Sequence, residues 1–343
     1  MKNKYLFLSI LFTFFLASCS DSVFHMVSLD EKIKKPLIKG SPTNFVQIGS
    51  VMYVASGSRL YSYSADEWNT SLPNPGGRIV QLAVHGGNLH ILCFEGSSTN
   101  GIIKYTTNPE SGTWSTIPGV NAHSIHSNGT NLYYSFRVGE SYNIYQQGNS
   151  TPIIPNASQE LQGVSGSLLC AGTIYTTSGG IHNSSLPTNF MGIINVSSTN
   201  YAITRDGDLY NLSSNAKVAD FSGFISNTRA TGLLTTVYDS TGTVLLLLAG
   251  RQDVNYSTNS GFTYGYAEIA VSNLSSPVTK FHMPGSALPS TIINRDRYTN
   301  TLGKNPVSHI LQFPFNNNGI IFSSTQRNGV WQLIDDTWNT VPE

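Results

Sequence analysis

The sequence predicts an all-β chain made of repeated, four-stranded antiparallel units. Three observations carry that expectation. Only 11% of the 343 residues are charged, against about 25% in ordinary domains, and Ser, Thr, Asn and Gly fill the polar positions. With many Tyr and Phe, that mixture suits short strands and tight turns. The stretch "RLYSYSADEWNT" from Arg59 to Thr70 returns near the end as "GVWQLIDDTWNT" from Gly329 to Thr340. A shorter signature, two apolar residues, Gln and another apolar residue, appears as "FVQI" (Phe45–Ile48), "IVQL" (Ile79–Leu82) and "ILQF" (Ile310–Phe313).

The elements follow in a fixed order. Each "xxQx" run precedes a second apolar run: "VMYVA" from Val51, "LHILCF" from Leu89, "GIIFSS" from Gly319. A third run follows, as in "LYSY" from Leu60, "IIKY" from Ile102, "YNIY" from Tyr142, "LYNL" from Leu209 and "VWQL" from Val330. A fourth carries Trp three times, at Trp68, Trp114 and Trp338, and Pro73, Pro118 and Pro342 close those units. Four short strands with Gly, Ser and Asn turns, repeated every 30–60 residues or so, select a β-propeller over a sandwich or barrel. Units fall at 44–74, 78–118, 121–155, 160–190, 191–221, 223–284 and 286–343, which counts seven blades; unit four is short, and its strands leave rings of six or eight open. In a closed ring the first and last units are neighbours, so the similar ends would use one packing solution, each Trp holding an outer strand to its blade.

The N-terminus reads as an address. Lys2 and Lys4 precede an apolar run from Tyr5 to Leu16, then Ala17, Ser18 and Cys19. This is the layout of a secretory signal, shorter than the roughly 20 apolar residues of a spanning helix. Residues 1–18 are expected to be the signal, 19–43 a charged tether interrupted by Pro36 and Pro42, and 44–343 the propeller.

Charge excludes one partner class. Lys plus Arg number 19, as do Asp plus Glu, so no basic field is available to hold nucleic acid. In a four-stranded blade, strands A to D alternate direction. The A–B and C–D turns lie on one face of the disc, and the B–C and D–A connections on the other. The two longest connections, Arg251–Ser260 and Gly285–Pro306, are B–C and D–A segments around unit six and emerge on the same face. Long loops on a rigid scaffold concentrate function. Their candidate ligand-binding residues are Arg251, Asp253, Tyr256, Tyr264, Arg295, Asp296, Arg297 and Tyr298. Arg offers a planar fork for carboxylate or phosphate, and Tyr a stacking face with a polar tip.

Catalytic, cofactor and metal motifs are not found, and no cofactor is expected. His123 and His126, three apart on a strand, point to opposite faces and do not suit a shared metal; His85 and His90 flank a Gly-Gly turn. Asp66-Glu67 and Asp335-Asp336 read as turn residues on the face opposite the long loops. Cys93 and Cys170 fall in apolar strands of non-adjacent units and read as buried free thiols.

Three resemblances add to this. Leu16-Ala17-Ser18-Cys19 resembles the bacterial lipobox, which implies that Cys19 is acylated and becomes the mature N-terminus, anchored in a bilayer. Ser20 after the Cys favours the outer over the inner membrane. "STNSGFTY" (Ser257–Tyr264) resembles a degenerate Asp-box of sialidase-like propellers, a structural turn that implies no activity. The chain as a whole resembles β-propeller lipoproteins of bacterial envelopes, such as those of spirochaetes. That implies an extracytoplasmic module binding or scaffolding a protein or glycan through its long-loop face. The alternatives are a glycan-active hydrolase or lyase with its site at the channel mouth, and an envelope-assembly scaffold by analogy with the propeller lipoprotein of the barrel-assembly machinery.

Overall fold

The computed structural model describes residues 36–96, 98–221, 228–239, 241–253, 262–274, 280–282, 307–316, 318–326, 328–334 and 337–341. They form seven antiparallel sheets, each from one contiguous stretch of chain, as the repeat predicts. Blade 1 holds β1 (Val46–Ile48), β2 (Val51–Ser56), β3 (Arg59–Ser64) and β4 (Glu67–Asn69). Blade 2 holds β5 (Arg78–His85), β6 (Asn88–Phe94), β7 (Gly101–Thr106) and β8 (Ser115–Ala122). Blade 3 holds β9 (Ser124–Ser127), β10 (Leu132–Val138), β11 (Ser141–Gln146) and β12 (Ile154–Ala157). Blade 4 holds β13 (Gly163–Ser165), β14 (Leu168–Ala171) and β15 (Thr173–Thr176). Blade 5 holds β16 (Phe190–Val196), β17 (Thr199–Thr204), β18 (Asp208–Asn211) and β19 (Ala216–Asp220). Blade 6 holds β20 (Thr228–Tyr238), β21 (Val244–Asp253), β22 (Phe262–Ala270) and β23 (Lys280–His282). Blade 7 holds β24 (Val307–Phe313), β25 (Ile320–Thr325), β26 (Val330–Ile334) and β27 (Thr337–Thr340).

Blade 4 is the irregular unit. In place of a regular fourth strand, Gly180–His182 runs beside β15, through a Tyr175–Ile181 bridge and a His182 N–H donated to the Ile174 carbonyl at 2.9 Å.

The second strand of each unit is apolar on both sides because each blade is sandwiched between two others. Along β6, Leu89, Ile91 and Cys93 pack toward blade 1, while Leu92 packs toward blade 3. The described residues form seven apolar clusters, one at every junction between adjacent blades, including the junction of blade 7 with blade 1. The core is thus a ring of inter-blade layers, as in other repeat folds.

The tryptophans show why the ends of the chain resemble one another. Trp338, on outer strand β27, packs edge-on against Tyr266 of blade 6, with centroids 6.3 Å apart, and donates its Nε1–H to the Tyr266 hydroxyl at 3.3 Å. Trp68, on outer strand β4, stands perpendicular to Phe322 of blade 7 at 5.7 Å. Trp114 packs on the layer shared with blade 1. Each Trp therefore reaches across to the preceding blade, rather than simply holding down its own.

The seam is closed without strand exchange. Residues 36–43, expected to belong to the tether that ends before residue 44, run between blades 7 and 1, with Thr43 N–H donating to the Ala55 carbonyl of blade 1 at 2.8 Å. Leu37 N–H donates to the Val341 carbonyl at 2.8 Å, and Gly329 N–H to the Gly40 carbonyl at 2.9 Å. Ile38 is fully buried in the layer between blades 7 and 1. Leu37 packs on the same layer, so the short apolar pair in "KKPLIKG" was the signal that the surrounding charge hides.

Candidate functional site

The seven first strands surround a channel of about 600 Å³. Its polar lining comes from Asn44, Gln47, Gln81, His126, Gln162 and His309, with Thr43, Ser127 and Ser308, and no Asp, Glu, Lys or Arg lines it among the described residues. Asn44, Gln162, Ser308 and His309 stand at or before the starts of their first strands. That end of the channel opens on the face bearing the B–C and D–A connections.

The recurring Gln now has a structural meaning at two of its three positions. Gln81 accepts the Ile125 N–H of blade 3 on its Oε1 at 2.9 Å. Its amide nitrogen then donates to His126 Nε2 at 3.1 Å. Gln312 clamps blade 6 in the same manner: its Oε1 accepts the Tyr238 N–H at 2.7 Å, and its Nε2 donates to the Tyr238 carbonyl at 3.2 Å. Asn44 makes the equivalent pair with the Leu82 backbone at 2.9 and 3.0 Å. Gln47 instead bonds Gly49 in its own turn. A buried backbone group without a partner costs about 1–3 kcal/mol, so these amides staple the inner rim.

The channel histidines are neutral. His126 accepts from Gln81 at Nε2, and His309 accepts the Phe45 N–H at Nδ1, 3.3 Å away. Burial pushes the pKa of both down to about 4.

A charged cluster borders the mouth. His123 lies between β8 and β9, and Glu160 between β12 and β13, so both sit on D–A connections. His123 Nδ1–H donates to the Thr99 carbonyl at 2.7 Å, leaving Nε2 to face Glu160 Oε2 at 3.2 Å. Burial raises the Glu160 pKa, against the pull of His123, Gln162 and Arg137. Gln162 links the pair to the channel through a 3.3 Å bond to Glu160. The rings of Phe94 and Tyr142 flank His123 at 6.4 and 5.3 Å. Such a cluster can donate and accept hydrogen bonds beside a stacking surface.

The sequence motifs divide as follows. His123 and His126 point to different partners, as their spacing implies, and no cluster of potential metal ligands occurs among the described residues. Arg251 and Asp253 lie on β21, and Tyr264 on β22. In this blade the ladder continues as far as Thr228–Asp253 and Gln252–Phe262, so its first three strands are the longest among the described residues, and Arg251–Asp253, expected to open the long connection, extend the strand instead. Tyr256 and Arg295, Asp296, Arg297 and Tyr298 lie outside the described residues, as do Cys19, the first five residues of the Asp-box-like stretch and Asp335-Asp336. Asp66 is a turn residue at φ 63° that accepts from the Tyr63 hydroxyl at 3.2 Å. Cys93 and Cys170 are buried and unpaired, and burial pushes their thiols up to about 11 and about 12. Sequence reasoning missed the channel amides and the His123–Glu160 pair; the repeated Gln was the available signal for the former.

No protein-family model matches the chain, and no curated protein does. Solved structures do. YCF48 from Cyanidioschyzon merolae is similar at 11% identity and a TM-score of 0.47, over 87% of this chain and 96% of that one. The computationally designed Ika8 protein is similar at 7% identity and 0.46, over 86% and 98%. An ancestral GH74 enzyme is similar at 14% identity and 0.47, over 89% of this chain and 47% of the other. The seven-bladed ring rests on this chain's own strand ladders, and these likenesses add no function.

Proposed function

We propose that this protein is a lipid-anchored, extracytoplasmic binding module of the bacterial cell envelope. It takes a protein or glycan ligand on the face formed by the B–C and D–A connections. The observation that carries the reading is the channel mouth on that face: amides, hydroxyls and neutral imidazoles, with no carboxylate in the channel lining among the described residues. Hydrolysis of glycosides ordinarily needs two facing carboxylates. At this rim Glu160 faces a histidine instead. Arg251, Asp253 and Tyr264 stand on the β21 and β22 ends that lead to this face, and with Tyr256, Arg295, Asp296, Arg297 and Tyr298 they are the charged and aromatic residues proposed to contact the ligand. Acylation of Cys19 in the outer membrane supplies the anchor, and the charged residues after it lift the ring from the bilayer.

Fractionation tests the anchor. Wild-type protein is expected in the detergent-soluble membrane fraction, and Cys19→Ala in the soluble envelope fraction. Membrane retention of Cys19→Ala removes the lipid anchor from the account. Proteinase added to intact cells then tells surface from periplasmic exposure, by cleavage of the wild-type protein before or only after permeabilisation.

A further inference from the structure

A second concavity, of about 660 Å³, lies on the flank of the ring between blades 2 and 3. It owes its existence to an irregular outer strand. Ile102 pairs with Asn121 and Lys104 with Thr116, so five residue steps of β8 run past two of β7. The surplus, around Pro118-Gly119, bulges away from its neighbour and forms one wall. Gly119 has φ +69° and open space where a Cβ would stand.

The opposite wall is aromatic. Tyr134 and Tyr145 are direct cross-strand partners whose rings stack at 5.3 Å and 9°, and Phe136 continues the surface. Tyr145 and Phe136 are half-buried, so they keep surface open to the groove. The floor at one end is the turn after β11. There the Gln147 side-chain oxygen is buried and has no hydrogen-bond partner. Turning the amide over would leave a buried nitrogen in the same position, so either way a polar atom waits for a partner. Asn121 and Asn149 border the groove, and no Asp, Glu, Lys, Arg or His lines it.

An aromatic wall, amides at the edges, a buried amide oxygen without a partner and no charge together describe a surface for a neutral, hydroxyl-rich ligand. We propose that this groove binds an uncharged saccharide, with a sugar face stacked on the Tyr145–Phe136 wall and a sugar hydroxyl bonded to the amide of Gln147, whose half-buried side chain turns toward the groove to meet it. Stacking uses the apolar C–H face of the ring, and the hydroxyl edge satisfies the amide. The site is separate from the channel mouth: Gln147 lies on a C–D turn, at the opposite face of the disc.

The test uses the full chain with cello-, malto- and chitotetraose as neutral probes, followed by titration calorimetry and by ligand-observed saturation-transfer NMR. At least one tetraose is expected to bind, with Tyr145→Ala and Gln147→Leu each lowering its affinity tenfold or more. Gln147→Leu keeps the side-chain volume and removes an unpartnered polar atom, so its melting temperature is not expected to fall. That separates loss of the site from loss of the fold. Absence of binding by all three probes, or binding unchanged in both variants, overturns the proposal. So does competition for the groove by an uncharged extended peptide but by no saccharide, which would assign the bulged edge of β8 to strand addition. Because neither variant touches the channel mouth, ligand retention there is unaffected whichever way this test falls.

Discussion

Ile38→Ala lowers the unfolding free energy by about 2–5 kcal/mol, the range for emptying a fully buried aliphatic site. Ile38 precedes the first strand, yet it is completely buried between blades 7 and 1. A ring closed without strand exchange depends on this docked segment, because no strand of blade 7 comes from the N-terminal end of the chain. Gly329→Ala tests the same seam from the other side. Gly329 has φ +73°, and an added Cβ would run into the Ile38 carbonyl, so backbone strain and displacement of the segment act together. Both variants are expected to shift the urea midpoint downward by comparable amounts, and the double variant by less than the sum, since each loosens one contact. An unfolding free energy for Ile38→Ala within about 0.5 kcal/mol of wild type, the range of ordinary surface changes, would mean that the ring closes by other means.

Acid is expected to destabilise the protein steeply between pH 6.5 and pH 4. Burial pushes His90, His126 and His309 each down to about 4 in the folded chain, whereas an unfolded histidine protonates near 6.5. In that window the unfolded chain binds more protons, so stability is full above pH 6.5 and is lost as the pH falls toward 4. For His90, which is 2% exposed, the difference is on the order of 3 kcal/mol at pH 4. His126 and His309 are only partly buried in the channel wall, so each contributes less. Glu160 has the opposite sign: its raised pKa lets the folded chain take up a proton earlier and offsets part of the loss. Combining His90→Phe, His126→Gln and His309→Gln is expected to flatten the melting temperature across this window. His90 stacks on Tyr105 at 5.4 Å, a contact that Phe retains. A slope as steep as wild type would place the acid sensitivity elsewhere.

The architecture was legible because repetition speaks through several residue types at once. Apolar second strands, the "xxQx" signature and the outer-strand Trp all recur, and each corresponds to a physical role at a blade junction. Seven units read from the sequence correspond to seven sheets, and the unit that looked short is the one with a ragged outer edge. The site was less legible. The amides and histidines of the channel are spread one or two per blade, so no local motif gathers them; ring closure alone brings Asn44, Gln162 and His309 to one mouth. The His123–Glu160 pair joins two connections 37 residues apart, and spacing along the chain gives no hint of it. The flank groove depends on a bulge at Pro118-Gly119, which in the sequence looks like the end of a unit. Ile38 was hidden by composition, an apolar residue inside a lysine-rich stretch that otherwise reads as tether.

Retention of a ligand without its turnover is open to a direct test. Immobilised full-length protein is exposed separately to polysaccharide and protein fractions of the cell envelope, and retained material is eluted and compared by mass with the input. The account predicts a retained ligand recovered chemically unchanged, with no new reducing or unsaturated ends. It also predicts that retention is lost when Gln162→Trp and Ser308→Trp together fill the mouth of the channel. Release of shortened glycan products, or retention indifferent to the filled mouth, would contradict it.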